Sequence, residues 1–507
     1  MVSRRSRDTR QNRGGRGIRQ LPWREIVNGY PWVEVLSADQ VEAIHEASME
    51  LLERQGMRIL HPGARNLLAG AGADVDEASQ MVRFDRALVL EHVARAPRDF
   101  TLHARNPAKN FRLGGRHLAF TSVGGPAYCT DLDRGRRRGR FEDACDYLRL
   151  VQSLDIIHQE GGGAFEPIEL PAETRHLDLY LSQIRLLDKN WQPVALGGER
   201  ARDAINMARI ALGFSAEELA AKPALFAIIN TNSPLQLDIP MAEGLIEMAG
   251  AGQAVCVTPF TLAGAMAPVT LAGTLAQQNA EALAGITLAQ IVRPGAPVVY
   301  GAFTSNVDMR SGSPSFGTPE YAKAAQASGQ LARRYGLPFR SSSVTSSNVV
   351  DAQATYESML SLWAAISGGA NIIVHAAGWL EGGLTASFEK LIVDAEMLQM
   401  MAEYLRPIEV SAETLALDAI AEVGPGGHFF GAQHTMSRYQ TAFYQPFLSE
   451  RRNFEAWQEA GSQDAQQRAN RIWKELLETY QPPPLDPAID EALQDYVERR
   501  KAGAAPE

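Results

Sequence analysis

Residues 296–379 contain five segments in succession: APVVYGAFTSNVD (296–308), PEYAKAAQASGQLARRYG (319–336), LPFRSSSVTSSN (337–348), DAQATYESMLSLWAAISGG (351–369) and ANIIVHAAGW (370–379). The first, third and fifth are apolar runs that end in Gly, Ser, Thr or Asn; the second and fourth are helical stretches. Strands that are apolar along their length and alternate with helices belong to a parallel sheet covered by helices. The same rhythm extends in both directions. HLAFTSVGG (117–125), DIIHQEGGG (155–163), WQPVALGG (191–198), PALFAIINTNSP (223–234) and AVCVTPFTLAG (254–264) each lead into a helix, and ANIIVHAAGW leads into SFEKLIVDAEMLQMMAEYL. Eight such units in about 290 residues predict an α/β chain closed into a (β/α)8 TIM barrel over 116–403. The alternative is an open doubly wound sheet. Against it, no GxGxxG follows the first strand and no P-loop occurs anywhere.

Residues 20–115 read as an N-terminal helical region. Ser37 and Gln40 form a capping-box pattern ahead of VEAIHEASMELLERQG, and ARNLLAGAG and FDRALVLEHVARAP are two further helices. Residues 404–507 read as a C-terminal extension packed on the barrel, with a Gly-rich GPGGHFFGAQHT, a Pro482-Pro483-Pro484 break and a polar last helix. The formal charge of -10 combines +6 over residues 1–19, which hold seven Arg and one Asp, with -16 over the rest. Residues 1–19 are expected to be a disordered Arg-rich arm, because almost no apolar residue is there to order them. A body this acidic predicts no nucleic-acid partner. Three widely spaced cysteines, Cys129, Cys145 and Cys256, imply a reducing compartment. With no apolar run long enough to span a membrane, a cytoplasmic protein is expected.

In a barrel the active site lies at the C-terminal ends of the strands. Glu160, Asp308, His375 and Glu381 are the titratable residues there. His375 reads as a general acid/base, as a ligand for a carboxylate, or as a hydrogen-bonded structural residue. Asp308 and Arg310 read as a pair that orders a loop, or Arg310 as meeting a substrate carboxylate. Cys129, Cys256 and His375 have no local zinc-site spacing, and no metal is expected. Glycines at the mouth let a large ligand approach the backbone, although tight turns alone also account for them. Tyr128, Phe165, Phe260, Phe303, Phe316, Tyr356, Trp379 and Phe388 fall at the same end. Three or four of them facing a ligand would suit a quaternary ammonium through cation–π attraction, with the others filling the core.

The segments SVGGPAYCTDLDRGRRRG, LPAETRHLDLYLSQIRLLDK, INTNSPLQLD, NVDMRSGSPSFGTPE, VVDAQATYESM, SGGANIIVHAAGWLEGGLTASFEKLIVDAEM and GPGGHFF occur in this order over about 120–440. Together they resemble the trimethylamine methyltransferase family. The resemblance implies a TIM barrel, in agreement with the unit count. It also implies methyl transfer from a methylamine to the Co(I) of a corrinoid (cobalamin) carried by a separate protein. Archaeal trimethylamine enzymes of that family carry pyrrolysine just before a segment similar to TSSNVVDAQATYES. Here Phe339-Arg340-Ser341-Ser342-Ser343-Val344-Thr345 stands in its place, which puts the missing residue at Ser343, plus or minus one. The chain is therefore similar to the branch without pyrrolysine, which includes glycine betaine methyltransferases. A quaternary amine has no lone pair for an electrophilic imine to engage, and it is already a good methyl donor because a neutral tertiary amine leaves.

On that reading the chain's main task is positioning. Phe260, Phe303, Tyr356 and Trp379 would hold the cation, and Arg310 or His375 a carboxylate. Asn230, Asn232 and Gln353 would supply hydrogen bonds, Glu160 would line the site, and Gly124, Gly125, Gly161 and Gly197 would receive the corrinoid face. The expected partners are a small quaternary amine, a cognate corrinoid protein and further copies of this chain, with no cofactor tightly bound in the chain itself. The alternatives are a non-catalytic betaine sensor and a metal-dependent enzyme on the same barrel.

Overall fold

The computed structural model of the protein describes residues 18–503, so most of the Arg-rich arm lies outside the described residues. The eight expected strands are present: β1 His117–Ser122, β2 Gln159–Glu160, β3 Asn190–Trp191, β4 Phe226–Ile229, β5 Ala254–Val257, β6 Val298–Gly301, β7 Phe339–Ser342 and β8 Ile372–Ala377. Neighbours pair in parallel in the order β3-β2-β1-β8-β7-β6-β5-β4. A parallel bridge from Trp191 to Leu225 joins the two ends, so the barrel closes. The helices that follow the strands are α1 Phe141–Ser153, α2 Arg175–Leu186, α3 Gly198–Leu212, α4 Ile239–Gly250, α5 Leu271–Val292, α6 Pro319–Tyr335, α7 Ala352–Gly368 and α8 Phe388–Tyr404.

Side-chain alternation along each strand makes two cores. Inside the barrel, Ala119, Phe226, Ala254, Cys256, Val299, Ile372 and Val374 meet Leu102, Phe111 and Leu113. The last three belong to a hairpin of Asp99–Leu102 with Phe111–Gly114, which joins β1 at its edge. Outside, Phe120, Val255, Val257, Tyr300, Phe339 and Ile373 join the core shared with the helices.

The N-terminal region holds the capped helix Ala38–Arg54, with the reciprocal Ser37 and Gln40 bonds present, and helices Pro62–Gly70 and Arg86–Val93. It is not helical alone. A four-stranded sheet is built from Met57–Ile59, Asp74–Asp76, Met81–Arg83 and Gln236–Leu237. These strands are too short for a period of two to show in the sequence.

At the C-terminal end, the expected polar last helix, Pro487–Lys501, buries Leu493, Tyr496 and Val497. Tyr496 Oη donates to Asp203 Oδ1 at 2.7 Å and Arg500 Nε to the same oxygen at 2.6 Å, which ties the helix to α3. Helix Ala465–Thr479 packs on α8, where Trp473 Nε1 donates to Glu389 at 2.9 Å.

Two of the expected strands are each broken in two. AVCVTPFTLAG contains β5 and then Phe260–Ala263, separated at Pro259, which has no N–H for a ladder. APVVYGAFTSNVD contains β6 and then Phe303–Val307. The two outer pieces pair in parallel, Phe260 opposite Phe303, and form a small second sheet beyond the barrel strands. A third sheet pairs Trp379–Leu380, Thr385–Ser387 and Tyr128–Thr130. These sheets raise a wall around the mouth.

Candidate functional site

The wall brings aromatic side chains together. The Phe303 and Phe316 rings stack with centroids 5.4 Å apart and planes 9° from parallel. Phe260 lies 5.1 Å from Phe303, and the Trp379 ring stands nearly perpendicular to Phe303 and Phe316 at 6.1 and 5.8 Å. Trp379 is fixed by its Nε1–H, which donates to Thr345 O at 3.0 Å. His375 reaches the same cluster, 4.5 Å from Trp379 and 5.8 Å from Phe303.

His375 gets there through a fault in β8. Its φ is +59°, a left-handed conformation uncommon for a non-glycine residue, and the β8–β1 register shifts between Ile373 and Ala377. Burial, and then the charge of Arg340, push the His375 imidazole well below its ordinary range, so it is neutral at pH 7. Its Nδ1 is buried without a partner.

Beneath the aromatic cluster, polar side chains join the apolar residues of the barrel interior. Arg340 of β7 is 2% exposed, and its guanidinium carbon lies 5.1 Å from the Phe303 centroid. Ser342, two residues on, lies on the same face of β7. Gln159 sits opposite Thr121 in the register of β2 with β1. The Gln159 amide, Ser342 Oγ and Arg340 Nε are all buried without a hydrogen-bond partner. Buried orphans are costly in a folded chain, so polar groups left open inside a barrel are candidates to be completed by a ligand or by water.

Other expected site residues lie elsewhere. Glu160 is 1% exposed but faces α2, accepting from Gly163 N at 2.7 Å, Gly162 N at 3.0 Å and Gln183 Nε2 at 2.5 Å. Burial pushes it up to about 7 against those bonds. Arg310 is exposed on its loop and makes no ion pair with Asp308, which instead accepts from the Arg310 and Ser311 backbone and the Ser311 hydroxyl. Tyr356, 61% exposed on α7, stands apart from the aromatic cluster. Gln353 donates to Glu357 at 2.9 Å. Asn230 is exposed, and Asn232 is bonded to Asp238 at 3.0 Å. Glu381 is held at the rim by Arg136 at 2.7 Å. Of the remaining aromatics, Phe165 and Phe388 pack around Tyr147, and Tyr128 lies under Arg136.

Among the glycines, a Cβ on Gly124 would stand 1.9 Å from Gly161 O, and one on Gly161 would stand 2.2 Å from Ser122 O. Close approach of neighbouring strand ends therefore requires both, without any ligand. Gly125 and Gly163 have φ of +88° and +89° with open space where a Cβ would be, and Gly197 has only Glu243 near, at 3.7 Å.

The family model described as trimethylamine methyltransferase (MTTB) matches residues 2–505. The chain belongs to the trimethylamine methyltransferase family. It is 40% identical over 471 residues to a glycine betaine methyltransferase of Desulfitobacterium hafniense, covering 93% of this chain and 98% of that one. It is 31% identical to the trimethylamine methyltransferase MttB of Desulfitobacterium hafniense, covering 91% of this chain and 93% of that one. The MttB of Methanosarcina barkeri is also 31% identical, with 92% of this chain and 95% of that one covered.

In this family member Ser343, expected from the sequence, plus or minus one, at the place of the missing pyrrolysine, turns away from the interior: its Oγ donates to Ser358 O of α7 at 3.2 Å. Ser342, one residue earlier, carries the unpartnered inward hydroxyl. The sequence reading passed over Arg340 and Gln159, and reached Ser342 only through the one-residue margin on Ser343. Their signal was available, since a charged residue in the middle of an apolar strand sits inside the barrel or against its helices, and burial there needs a reason.

Proposed function

We propose that this chain moves an N-methyl group from a quaternary amine, with glycine betaine as the leading substrate, to the Co(I) of a corrinoid carried by a separate protein. The observation that carries the reading is the aromatic wall of Phe260, Phe303, Phe316 and Trp379 at the barrel mouth. Ring faces attract a cation that has no N–H to donate. The 40% identity to a glycine betaine methyltransferase supports the same substrate. The corrinoid supplies the nucleophile: the N–CH3 bond breaks with its electron pair left on nitrogen, and the methyl group passes to cobalt.

The chain's own residues bind, orient and exclude water. The amine departs neutral, so no acid is needed at the moment of transfer, and neutral His375 and outward-facing Glu160 agree with that. Gly125 is exposed backbone with open space where a Cβ would be, which fits the approach of a large flat group held by a partner.

The same proposal places the protein in the cytoplasm as a homo-oligomer. Its three cysteines are free thiols, and among the described residues no helix is long and apolar enough to cross a membrane. Ile408, Leu417, Phe430 and Phe443 are exposed on the C-terminal extension, apolar surface of the kind another copy covers. The test is turnover by the purified chain with a reduced corrinoid protein. Dimethylglycine formed from glycine betaine, followed by proton NMR, is the expected result. Demethylation of trimethylamine with none of glycine betaine would overturn the reading.

A further inference from the structure

One cation inside the barrel has no counter-charge. Arg340 is buried, and among the described residues no Asp or Glu oxygen lies within ion-pair distance of its guanidinium. Nη1 donates to Ala302 O at 3.2 Å, and Nε has no partner. The titratable groups that interact with it are the Cys256 thiol, the Tyr321 phenol and the His375 imidazole, all neutral at pH 7. Burying a charge this way is expensive unless something of opposite sign completes it. The other buried arginine with a close partner, Arg65, has Glu77 at 2.7 Å. Buried Lys189 also lacks a carboxylate but donates to two carbonyls, Val151 O and Leu154 O, whereas Arg340 keeps Nε free and lies beside His375, which approaches the same Phe303 ring.

We infer that Arg340 binds the carboxylate of the substrate and thereby selects carboxylated quaternary amines over cations such as choline. The assignment rests on the methyl-transfer reading above and deepens it. A planar guanidinium with free N–H groups matches a carboxylate, and Ser342 Oγ, on the same face of β7, and His375 Nδ1, whose ring shares Phe303 with Arg340, are also without a partner. The aromatic wall, with Phe303 shared between it and Arg340, takes the ammonium end. Selection works in both directions. A zwitterion neutralises Arg340 while its ammonium meets the rings. A simple cation leaves Arg340 uncompensated and places a second positive charge close to the first, which disfavours it.

Three arms test this. Arg340→Met should raise the KM for glycine betaine by roughly 100-fold or more, the range for losing one member of a buried charge pair. It should also bring the kcat/KM ratio of glycine betaine to choline toward unity, an effect that a merely structural role would not produce. Arg340→Lys, which keeps the charge and loses the fork, should fall between. The third arm uses the wild-type chain alone and does not depend on a variant that folds. Thermal shift is measured with 3,3-dimethylbutyrate, which has the carboxylate and the shape of glycine betaine but no cation, and with its primary amide. Stabilisation by the acid and not by the amide is expected. Equal stabilisation by both, or an unchanged ratio in Arg340→Met, would overturn the assignment while wild-type turnover of glycine betaine leaves the parent reading standing. Absence of wild-type turnover with any betaine would remove that reading and this assignment with it.

Discussion

Replacing Glu160 by Gln should flatten the pH dependence of stability between about pH 4.5 and 7 and leave methyl transfer intact. The carboxyl is fully enclosed between β2 and α2, and burial raises it from 4.5 to about 7. The folded protein therefore holds that proton about 3 kcal/mol more tightly than the unfolded chain does, at about 1.4 kcal/mol per tenfold. Below pH 4.5 both states are protonated and the contribution to stability is complete. As pH rises toward 7, the unfolded chain has lost the proton while the folded chain still binds it, so stability falls. Above 7 both are ionised and the contribution is gone. With unfolding entropy of about 2.1 cal/mol/K per residue, a chain of 507 residues loses about 1 °C of Tm per kcal/mol, so the expected drop is about 3 °C.

Calorimetry of wild type and Glu160→Gln from pH 5 to 8, at fixed ionic strength, reads the difference between the two profiles. Gln183 Oε1, buried without a partner, is available to accept from the new amide. Buried Lys189, pulled down to about 7 by desolvation, acts in the opposite window, adding stability as pH rises above 7, and its contribution cancels in the difference. Parallel Tm profiles would refute the raised carboxyl. Loss of turnover in a variant of wild-type Tm would refute the placement of Glu160 outside the chemistry.

Phe303→Leu should raise the KM for glycine betaine about 2- to 30-fold with little change in kcat, the loss of a single cation–π partner, measured by steady-state kinetics. Gly378 has φ of +99°, and a Cβ there would stand 1.8 Å from Tyr147 Oη. Gly378→Ala should therefore cost about 1–3 kcal/mol in denaturant unfolding, and Tyr147→Phe in the same chain should recover part of it. Lys390 and Asp394 form a fully buried ion pair within α8, and Asp394 also accepts from Gly378 N at 2.8 Å. Lys390→Met should cost about 3–5 kcal/mol by leaving that carboxylate uncompensated, and adding Asp394→Asn should restore much of the loss.

The barrel was legible because its signals are local. Apolar runs such as PALFAII and ANIIV, each followed by a helical stretch, count out eight units without any knowledge of which strand touches which. The capping box at Ser37 was legible for the same reason, since all its bonds close within four residues. The aromatic wall was half legible. Phe260, Phe303, Phe316 and Trp379 lie at strand ends, but so do Tyr356, Phe165 and Phe388. Only the sheets formed beyond the barrel strands, one holding Phe260 and Phe303 and the other Trp379, separate the two groups. The carboxylate anchor is the plainest case. Arg310, exposed on a loop, and Arg340, enclosed in β7, are both arginines near strand ends in the sequence. Which one faces the interior depends on strand register, on the pleat, and on what surrounds the side chain from β5, β6 and β8. Those are contacts between residues far apart in the chain, and no window along it contains them.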